Sequence, residues 1–425
     1  MVATLSLGLL AFYLVSVVLA VSSPLNPESN GGWLPPGVDF RLRVNEINCM
    51  LSGVNPFDVW HGDVVVKPYV PFHGKARSVV EGKEGFTEFI NAYAPWEYIM
   101  MLPFAVMPGA FSWVLYFLAM MAGVVALFCI GQRFCMRFAE CSRELSVIVG
   151  SASVLFVAVP ILHNFQVGNL SVPVLVAATF LAIALNRGCN VMAGVLWAFV
   201  MIKPQIGLAF AMPLLLRRRF TTCFVAAGIC LAMTAIASFL CNASPIDLVM
   251  QAPAATANEF RGCGTFPFMF CPLCSNDVGI AIGLVVGVVV CFAMTQGLYR
   301  SGIRDWVVFM MPAAAVGAAW TYAQCFSFVM NWFFFLVLFS AIACRPKSKT
   351  LWLLAVLSAV FMTRIYNGVH FASRFLPGVF PESLMSESLY CHMDTLVSSA
   401  GLLVAMSLCA WLAGEKPFGT LKGNV

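Results

Sequence analysis

Two charged side chains stand out, because each lies beside apolar sequence where a charge is costly. Asp39 follows a Pro-Gly turn soon after the first long apolar run, and Lys203 interrupts a later run. A carboxylate can remove a proton from a hydroxyl group, and an ammonium can stabilise a departing phosphate. Chemistry at a membrane surface could rest on these two side chains.

Both side chains also have a structural interpretation. An Asp just after a Pro-Gly turn is typical of a helix N-cap. A Lys near the end of a short membrane helix can extend its ammonium to the interface. The spacing alone leaves these alternatives open.

Composition places the chain in a lipid bilayer: 61% of its residues are hydrophobic and 10% are charged. Long apolar runs of this kind are typical of membrane-spanning helices, which satisfy every backbone polar group within the segment. We expect an all-α polytopic membrane protein, a single domain over residues 1 to 425 with about 12 membrane segments.

The expected spans are 4 to 21, 111 to 131, 145 to 162, 170 to 186, 189 to 202, 204 to 216, 219 to 240, 278 to 299, 306 to 322, 326 to 343, 350 to 366 and 393 to 413. The short fifth and sixth spans should form a broken pair that meets at Lys203-Pro204-Gln205. The first span could instead be a cleaved signal peptide, although no Lys or Arg precedes it.

Basic residues indicate the orientation, because Lys and Arg are retained on the cytoplasmic side. With the N terminus inside, the cytoplasmic loops collect most of the basic residues, including Arg133, Arg137, Arg143, Arg187, Arg217, Arg218, Arg219, Arg345 and Lys347. The outer segments are then 22 to 110, 241 to 277 and 364 to 392. The net charge of +5 therefore reflects sidedness and does not indicate a nucleic-acid partner.

The first outer segment is the largest and should contain interfacial helices. Phe40, Val44, Ile47 and Leu51 recur at helical spacing, with Arg41, Asn45 and Asn48 on another face, so we expect a helix along the outer membrane surface. The polar stretch 58 to 88 should be a flexible loop, and 97 to 107 a short helix that ends before Pro108.

Five short motifs follow one another along the first half of the chain. They are Asp39, Gly53-Val54-Asn55-Pro56-Phe57, Tyr93-Ala94-Pro95, Gln166-Val167-Gly168-Asn169, and Ile202-Lys203-Pro204-Gln205 before the basic turn Arg217-Arg218-Arg219. In this order they resemble the GT-C membrane glycosyltransferases, specifically glycosyltransferase family 87. Its members include polyprenyl-phosphate-mannose-dependent mannosyltransferases, and the resemblance implies a GT-C-type helix bundle with a large first extracytoplasmic loop.

The resemblance also implies a reaction: inverting transfer of a hexose from a polyprenyl-phosphate sugar to a glycolipid or cell-envelope glycan hydroxyl. Among hexoses, the resemblance favours mannose. The site would face outward from a bacterial plasma membrane. Asp39 would be the base. The candidates for binding the donor phosphate are Lys203, Arg41, Arg261, Arg364 and Arg374, and those for the sugar or acceptor are Asn55, Tyr93, Gln166, Asn169, Gln205 and Gln324.

Several of these residues have plainer interpretations. Asn55-Pro56 is typical of a helix end, Tyr93 of an interface anchor, and Gln166 and Asn169 of a polar loop. Some family members carry a His in a late outer loop where this chain has Gln324 and Cys325, so His163 or His370 could substitute or be ordinary loop residues.

The outer cysteines do not indicate a metal or a cofactor. Cys263, Cys271 and Cys274 could in principle bind zinc, but no His pair accompanies them and the outer compartment is oxidising. A disulfide within this loop is the favoured interpretation.

Two other classes of membrane protein remain as alternatives. A transporter or lipid-linked-sugar flippase would also be helical, but transporters usually show repeat symmetry and short outer loops, and neither is evident here. A structural membrane subunit would not require Asp39.

Sidedness can be tested with introduced cysteines in an active, otherwise cysteine-free background. We expect a cysteine at Ser78 to react in intact cells with a membrane-impermeant maleimide, because the charge pattern places it outside. A cysteine at Ser348 should react only after permeabilisation. The reverse labelling pattern would invert the topology and place Asp39 in the cytoplasm.

Overall fold

A computed structural model of the chain describes residues 37–61, 94–138, 141–251 and 329–344, with a few positions between 282 and 296 and between 347 and 353. The regular elements in these ranges are helices. They are α1 Val38–Leu51, α2 Pro56–His61, α3 Pro95–Ala105, α4 Gly109–Phe138, α5 Arg143–Phe156, α6 Ala158–Val167, α7 Ser171–Asn186, α8 Asn190–Val200, α9 Pro204–Gly207, α10 Ala211–Leu216, α11 Phe220–Cys241 and α12 Trp332–Cys344.

Two of these helices are long and apolar enough to cross a membrane, over Phe111–Arg137 within α4 and over Phe220–Cys241. Shorter apolar helices cover Ser171–Asn186, Asn190–Val200 and Val329–Cys344. The all-helical expectation is confirmed for the described part of the chain. The total of about 12 segments stays a prediction, because the expected spans 4 to 21, 306 to 322 and 393 to 413 lie outside the described residues.

The outward surface of α11 is apolar. Phe224 is 76% exposed and Phe239 is 86% exposed, while small residues such as Ala226 and Ala237 pack inward. Large aromatic side chains with this much exposure would be unfavourable in water and are suited to lipid. On its inner side α11 packs against α8, α3 and α1.

The expected break between the fifth and sixth spans is confirmed. α8 ends at Val200, and Pro204 begins α9, which continues through the 3-10 turn Leu208–Phe210 into α10. Backbone carbonyls released by the break need donors in an apolar setting. The indole of Trp96 donates to the Met201 carbonyl at 2.8 Å, and the indole of Trp197 donates to the Gly207 carbonyl at 2.8 Å.

Two expectations elsewhere in the chain, for residues 145 to 162 and for the loop from residue 58, are wrong. The span expected over 145 to 162 is divided at Val157 between α5 and α6. The flexible loop expected from residue 58 begins later, because Pro56–His61 is helical and the side-chain oxygen of Asn55 accepts from the Phe57 backbone N–H at 3.1 Å. Asn55-Pro56 thus starts a helix and does not end one.

The first outer helix is confirmed, but its place on the membrane surface is not. α1 packs against α3, α6 and α11 and is buried on more than its apolar face. Arg43, Asn45 and Glu46 are 3%, 0% and 0% exposed. Phe40, Val44 and Ile47, which were expected to face the membrane, are buried inside the bundle, whereas Leu51 is 43% exposed. The burial of the polar residues between them is not predicted by the pattern of a surface helix.

Two glycines in the left-handed conformation bring the start of α1 against the end of α6. Gly37, with φ of 70°, precedes α1, and Gly168, with φ of 74°, follows α6. A Cβ at Gly168 would lie 2.8 Å from Cβ of Phe40, 2.9 Å from the Trp113 ring and 3.2 Å from Cα of Gly37. This approach is what places Asp39 beside Asn169.

We expect Gly168→Ala to destabilise the protein by more than backbone strain alone. Gly188→Ala is the matched control, because Gly188 has φ of 73° but nothing within 4 Å of the added Cβ. The control should cost about 1–2 kcal/mol for the left-handed conformation, and Gly168→Ala a further ~1–3 kcal/mol for overpacking. Thermal unfolding in detergent measures both, and equal losses would contradict the close approach.

Candidate functional site

Four polar side chains meet at one end of the helix bundle, and we call them the Asp39 cluster: Asp39, Asn169, Ser171 and Lys203. The amide nitrogen of Asn169 donates to Asp39 Oδ2 at 2.7 Å. The amide oxygen of Asn169 accepts from Lys203 Nζ at 2.6 Å. Asp39 and Lys203, which are 130 and 34 positions from Asn169 in the sequence, are therefore joined through the Asn169 side chain.

Ser171 completes the cluster. Its hydroxyl donates to Asn169 Oδ1 at 2.8 Å and lies 2.8 Å from Lys203 Nζ, which donates to it. The Ser171 backbone N–H also donates to Asn169 Oδ1 at 3.1 Å. With three donors on one oxygen, the Asn169 side chain has a single favourable orientation, in which its nitrogen faces the Asp39 carboxylate.

Asp39 is held by the first turn of α1. The N-cap position is Gly37, which has no side chain to cap the helix, so the interpretation of Asp39 as an N-cap is wrong. The carboxylate lies in the first turn, where the helix dipole favours a negative charge. It is partly exposed, and its Oδ1 has no hydrogen-bond partner among the described residues.

Asn169 is positioned by the end of α6. The backbone N–H groups of Gly168 and Asn169 both donate to the Asn164 carbonyl, at 2.8 and 3.0 Å, and so close the helix. The Tyr116 hydroxyl donates to the Gly168 carbonyl at 3.2 Å. Within Gln166-Val167-Gly168-Asn169, the glycine therefore permits the turn that aims Asn169 at Asp39.

Lys203 is placed by the break after α8. Its side chain is 3% exposed and turns toward Asn169 and Ser171. The interpretation that it extends to the interface is therefore wrong. Both of these acceptors are neutral oxygens, and the charges of Asp39 and Glu97 also act on the ammonium.

Sequence reasoning missed a second carboxyl group beside the cluster, that of Glu97 on α3. It is 0% exposed, and neither carboxyl oxygen has a hydrogen-bond partner among the described residues. Burial raises the pKa of Glu97 to about 8, against the opposing charges of Arg43 and Lys203. The available signal was an acid isolated within an apolar stretch, which is costly unless it has a role.

An ion pair lies near Glu97 on α1. Arg43 Nη1 and Glu46 Oε2 are 2.6 Å apart, with both side chains buried. Asp39, Arg43 and Glu46 follow each other at helical spacing, so one face of α1 carries this row of charges. Ser171 was also missed, although it stands two residues after Asn169.

The other predicted site residues are not brought together by the described contacts. Asn55 is used structurally: besides accepting from Phe57, its amide nitrogen donates to Asp58 at 3.0 Å and to Gln251 at 3.4 Å. The side chains of Arg41, Gln166, Gln205 and His163 are not described, although their backbones lie in helices. The predictions that lie outside the described residues are Tyr93, Arg261, Arg364, Arg374, Gln324 and His370.

The described cysteines do not test the expected disulfide, since Cys263, Cys271 and Cys274 lie outside the described ranges. Cys49 and Cys241 are buried free thiols. Within the described residues, His, Cys, Asp and Glu side chains form no group of three or more that could hold a metal ion.

The Asp39 cluster sets a proton acceptor and a cation on either side of one amide. Such a pair can remove a proton from one group while stabilising negative charge on another. The basic residues Arg133, Arg137 and Arg217 lie near the opposite ends of α4 and α10. The cluster thus lies at the bundle end that the charge pattern predicts to face outward.

Residues 91–255 match the sequence model of glycosyltransferase family 87. This match confirms the resemblance predicted from the motifs, and it supports a membrane glycosyltransferase of the GT-C type. The matched region contains Glu97, Asn169, Ser171 and Lys203, whereas Asp39 precedes it. No curated protein and no solved structure matches the chain significantly.

Proposed function

Residues 91–255 match glycosyltransferase family 87, and we propose that this glycosyltransferase uses the Asp39 cluster to transfer a hexose from a polyprenyl-phosphate sugar. The acceptor is a hydroxyl of a glycolipid or cell-envelope glycan on the outer face of the plasma membrane. The observation that carries the proposal is the hydrogen-bonded connection from Asp39 through Asn169 to Lys203.

Asp39 is the base in this mechanism. Its Oδ2 is held by Asn169, and its Oδ1 has no partner among the described residues, so one oxygen can meet an acceptor hydroxyl. The side chain is partly exposed, as access by a substrate requires.

Lys203 is the cation for the donor phosphate. A buried ammonium is expensive in an apolar bundle, and an anionic phosphate beside it would lower that cost. Ser171 and Asn169 hold the ammonium in place before the donor arrives, so little reorganisation is needed during transfer.

The steps of the reaction balance without a further reactant. As the acceptor oxygen attacks the anomeric carbon, Asp39 takes the hydroxyl proton. A new carbon–oxygen bond forms on one face of the sugar, and the bond from the anomeric carbon to the phosphate oxygen breaks on the other. The electron pair leaves with the polyprenyl phosphate, whose added charge Lys203 stabilises. The anomeric configuration inverts.

The donor class follows from the outward location. Nucleotide sugars are cytoplasmic, so an outer-face transferase requires a sugar already activated on a lipid. Lys203 lies at the break between α8 and α9, near one end of the bundle, where it can reach a phosphate at the membrane interface. Mannose is the proposed sugar on family resemblance. Arg261, Arg364 and Gln324 remain proposed contacts for the donor or sugar.

Asp39→Asn tests the base directly. The amide can still accept the Asn169 hydrogen bond but cannot take a proton, so we expect transfer to fall ~100-fold or more while expression is kept. The assay incubates membranes with a radiolabelled polyprenyl-phosphate hexose and follows labelled lipid or glycan.

Asp247→Asn is the matched control, because Asp247 is an exposed acid in a predicted outer segment. It should transfer sugar at the wild-type rate. If Asp39→Asn retained more than about a tenth of wild-type transfer, Asp39 would not be the general base.

A further inference from the structure

Several described helices are followed by a residue in the left-handed conformation, and one of these residues is of an unexpected type. Gly53, Gly168, Gly188 and Asn242 are glycines or an asparagine, which adopt this conformation readily. Arg218, with φ of 53°, follows α10. A glycine would fit this backbone with less strain, so the arginine side chain calls for an explanation from its surroundings.

The turn at Arg218 can be compared with a second turn of the same type. After α7, Gly188 holds the left-handed position, and its N–H donates to the Leu185 carbonyl at 3.1 Å. After α10, Arg218 holds that position, and its N–H donates to the Leu215 carbonyl at 2.9 Å. In both turns the next N–H donates to the carbonyl five residues earlier, at 2.9 Å. Both are Schellman motifs, in which glycine is the usual residue, yet the chain has glycine in only one of them.

Arg218 is the middle residue of the basic turn, Arg217-Arg218-Arg219, which connects α10 to α11. Its side chain is exposed, and its guanidinium makes no hydrogen bond or ion pair with the described residues. Arg219 Nη1 donates to Asn190 Oδ1 at 3.3 Å, which attaches the basic turn to the start of α8. Arg187, in the short connection before α8, is also exposed. Neighbouring cations repel one another, so an anion among them would lower the electrostatic free energy.

Exposed apolar side chains flank the basic turn. Leu215 is 51% exposed and Phe220 is 50% exposed, and Phe224, one turn further along α11, is 76% exposed. Apolar surface of this kind is suited to lipid tails. The positive charges therefore lie where the apolar surface of the bundle ends, which is the depth of lipid headgroups. A soluble phosphate compound would use only the charges, whereas a phospholipid would use both features.

We propose that the basic turn, with Arg187 beside it, binds the headgroup of an anionic phospholipid in the inner leaflet. Guanidinium groups bind phosphate oxygens through paired, charge-assisted hydrogen bonds. Leu215 and Phe220 contact the acyl chains of the same lipid. The charge pattern predicts that this end of the bundle faces the cytoplasm, where anionic lipids attract basic segments.

Sidedness alone does not account for the basic turn. The excess of basic residues on the cytoplasmic side explains why arginines are present, but it does not require one in a strained backbone conformation. A lipid phosphate does account for Arg218, because the left-handed position directs the side chain of an otherwise closed turn outward. The site lies at the end of the bundle opposite the Asp39 cluster, so the inference does not depend on the proposed function.

The test titrates the purified full-length protein in detergent with phosphatidylglycerol or with phosphatidylcholine and measures bound lipid by native mass spectrometry. We expect the wild type to bind phosphatidylglycerol about tenfold more tightly or better, because only this lipid has a net negative charge. Equal affinity for the two lipids would overturn the proposal.

A double variant, Arg218→Gln with Arg219→Gln, should bind phosphatidylglycerol about 25-fold less tightly, which is about fivefold for each arginine. Its affinity for phosphatidylcholine should not change. The matched control is Arg133→Gln with Arg137→Gln, because both are exposed arginines of α4 at the same end of the bundle. The control should stay within about twofold of the wild type. Equal losses in the two double variants would assign the effect to general charge and overturn a site at the basic turn.

Arg218→Gly separates lipid binding from folding. Because glycine suits the left-handed position, this variant should unfold in lipid-free detergent at a temperature no lower than that of the wild type. It should nevertheless bind phosphatidylglycerol about fivefold less tightly. A lower unfolding temperature with wild-type lipid affinity would show that the Arg218 side chain serves the fold, and it would overturn the proposal.

Glycerophosphoglycerol, the headgroup of phosphatidylglycerol without its acyl chains, distinguishes a lipid from a soluble phosphate compound. At millimolar concentration it should not displace phosphatidylglycerol from the wild type, because it cannot contact Leu215 and Phe220 as a lipid does. Full displacement would assign the basic turn to a soluble phosphate compound and contradict a lipid site.

Discussion

The side-chain amide of Asn169 is the interaction on which the proposed site depends. It donates to the Asp39 carboxylate and accepts from the Lys203 ammonium, so it satisfies a negative and a positive group at once. A carboxylate at this position could not donate to Asp39, and an ammonium could not accept from Lys203. An amide keeps the two charges apart without cancelling either. Asp39 can then accept a proton while Lys203 attracts an anion.

The surrounding helices hold the amide in this position. Gly37 and Gly168 allow the start of α1 to approach the end of α6, and no larger residue fits at Gly168 without displacing Phe40 or Trp113. On the other side, the break after α8 turns Lys203 inward, and Trp96 and Trp197 donate to carbonyls at 201 and 207 near the break. The glycine turns and the helix break each cost conformational free energy. Together they bring Asp39 and Lys203 to the two sides of the Asn169 amide.

The helical architecture follows from the sequence because apolar runs leave few alternatives in lipid. The spans at 170 to 186 and 219 to 240 coincide with α7 and α11 to within a residue or so, and the break at Lys203-Pro204-Gln205 was visible from proline and length. The division of the span after residue 145 also has a sequence signal that was overlooked: Pro160 cannot donate to the carbonyl of Phe156, the residue at which α5 ends. The surface position expected for α1 was wrong because tertiary packing buried polar residues that a periodic pattern assigns to solvent.

Asp39, Asn169 and Lys203 were each identified from motifs, but their connection was not, because a sequence does not show which loop ends meet. Glu97 was overlooked because it resembles an ordinary first-turn acid, which a helix dipole alone would explain. Its isolation within an apolar stretch was a weak signal, and its complete burial is visible only in the structure. Asn55 has a structural role that the motif did not indicate, since its side chain accepts a hydrogen bond at the start of α2. Its proposed contact with the sugar stays a prediction.

A double-mutant cycle on kcat/KM, with Asn169→Ala, Lys203→Gln and the double variant, tests most directly whether the base and the cation act as a unit. When two residues act as a unit, replacing either one removes most of their joint contribution to kcat/KM, and the second replacement lowers kcat/KM little further. We predict a loss of ~100-fold for each single variant and little more for the double variant, with unfolding temperatures that show all three to be folded. Losses that multiply in the double variant, or single variants with wild-type transfer, would contradict the account.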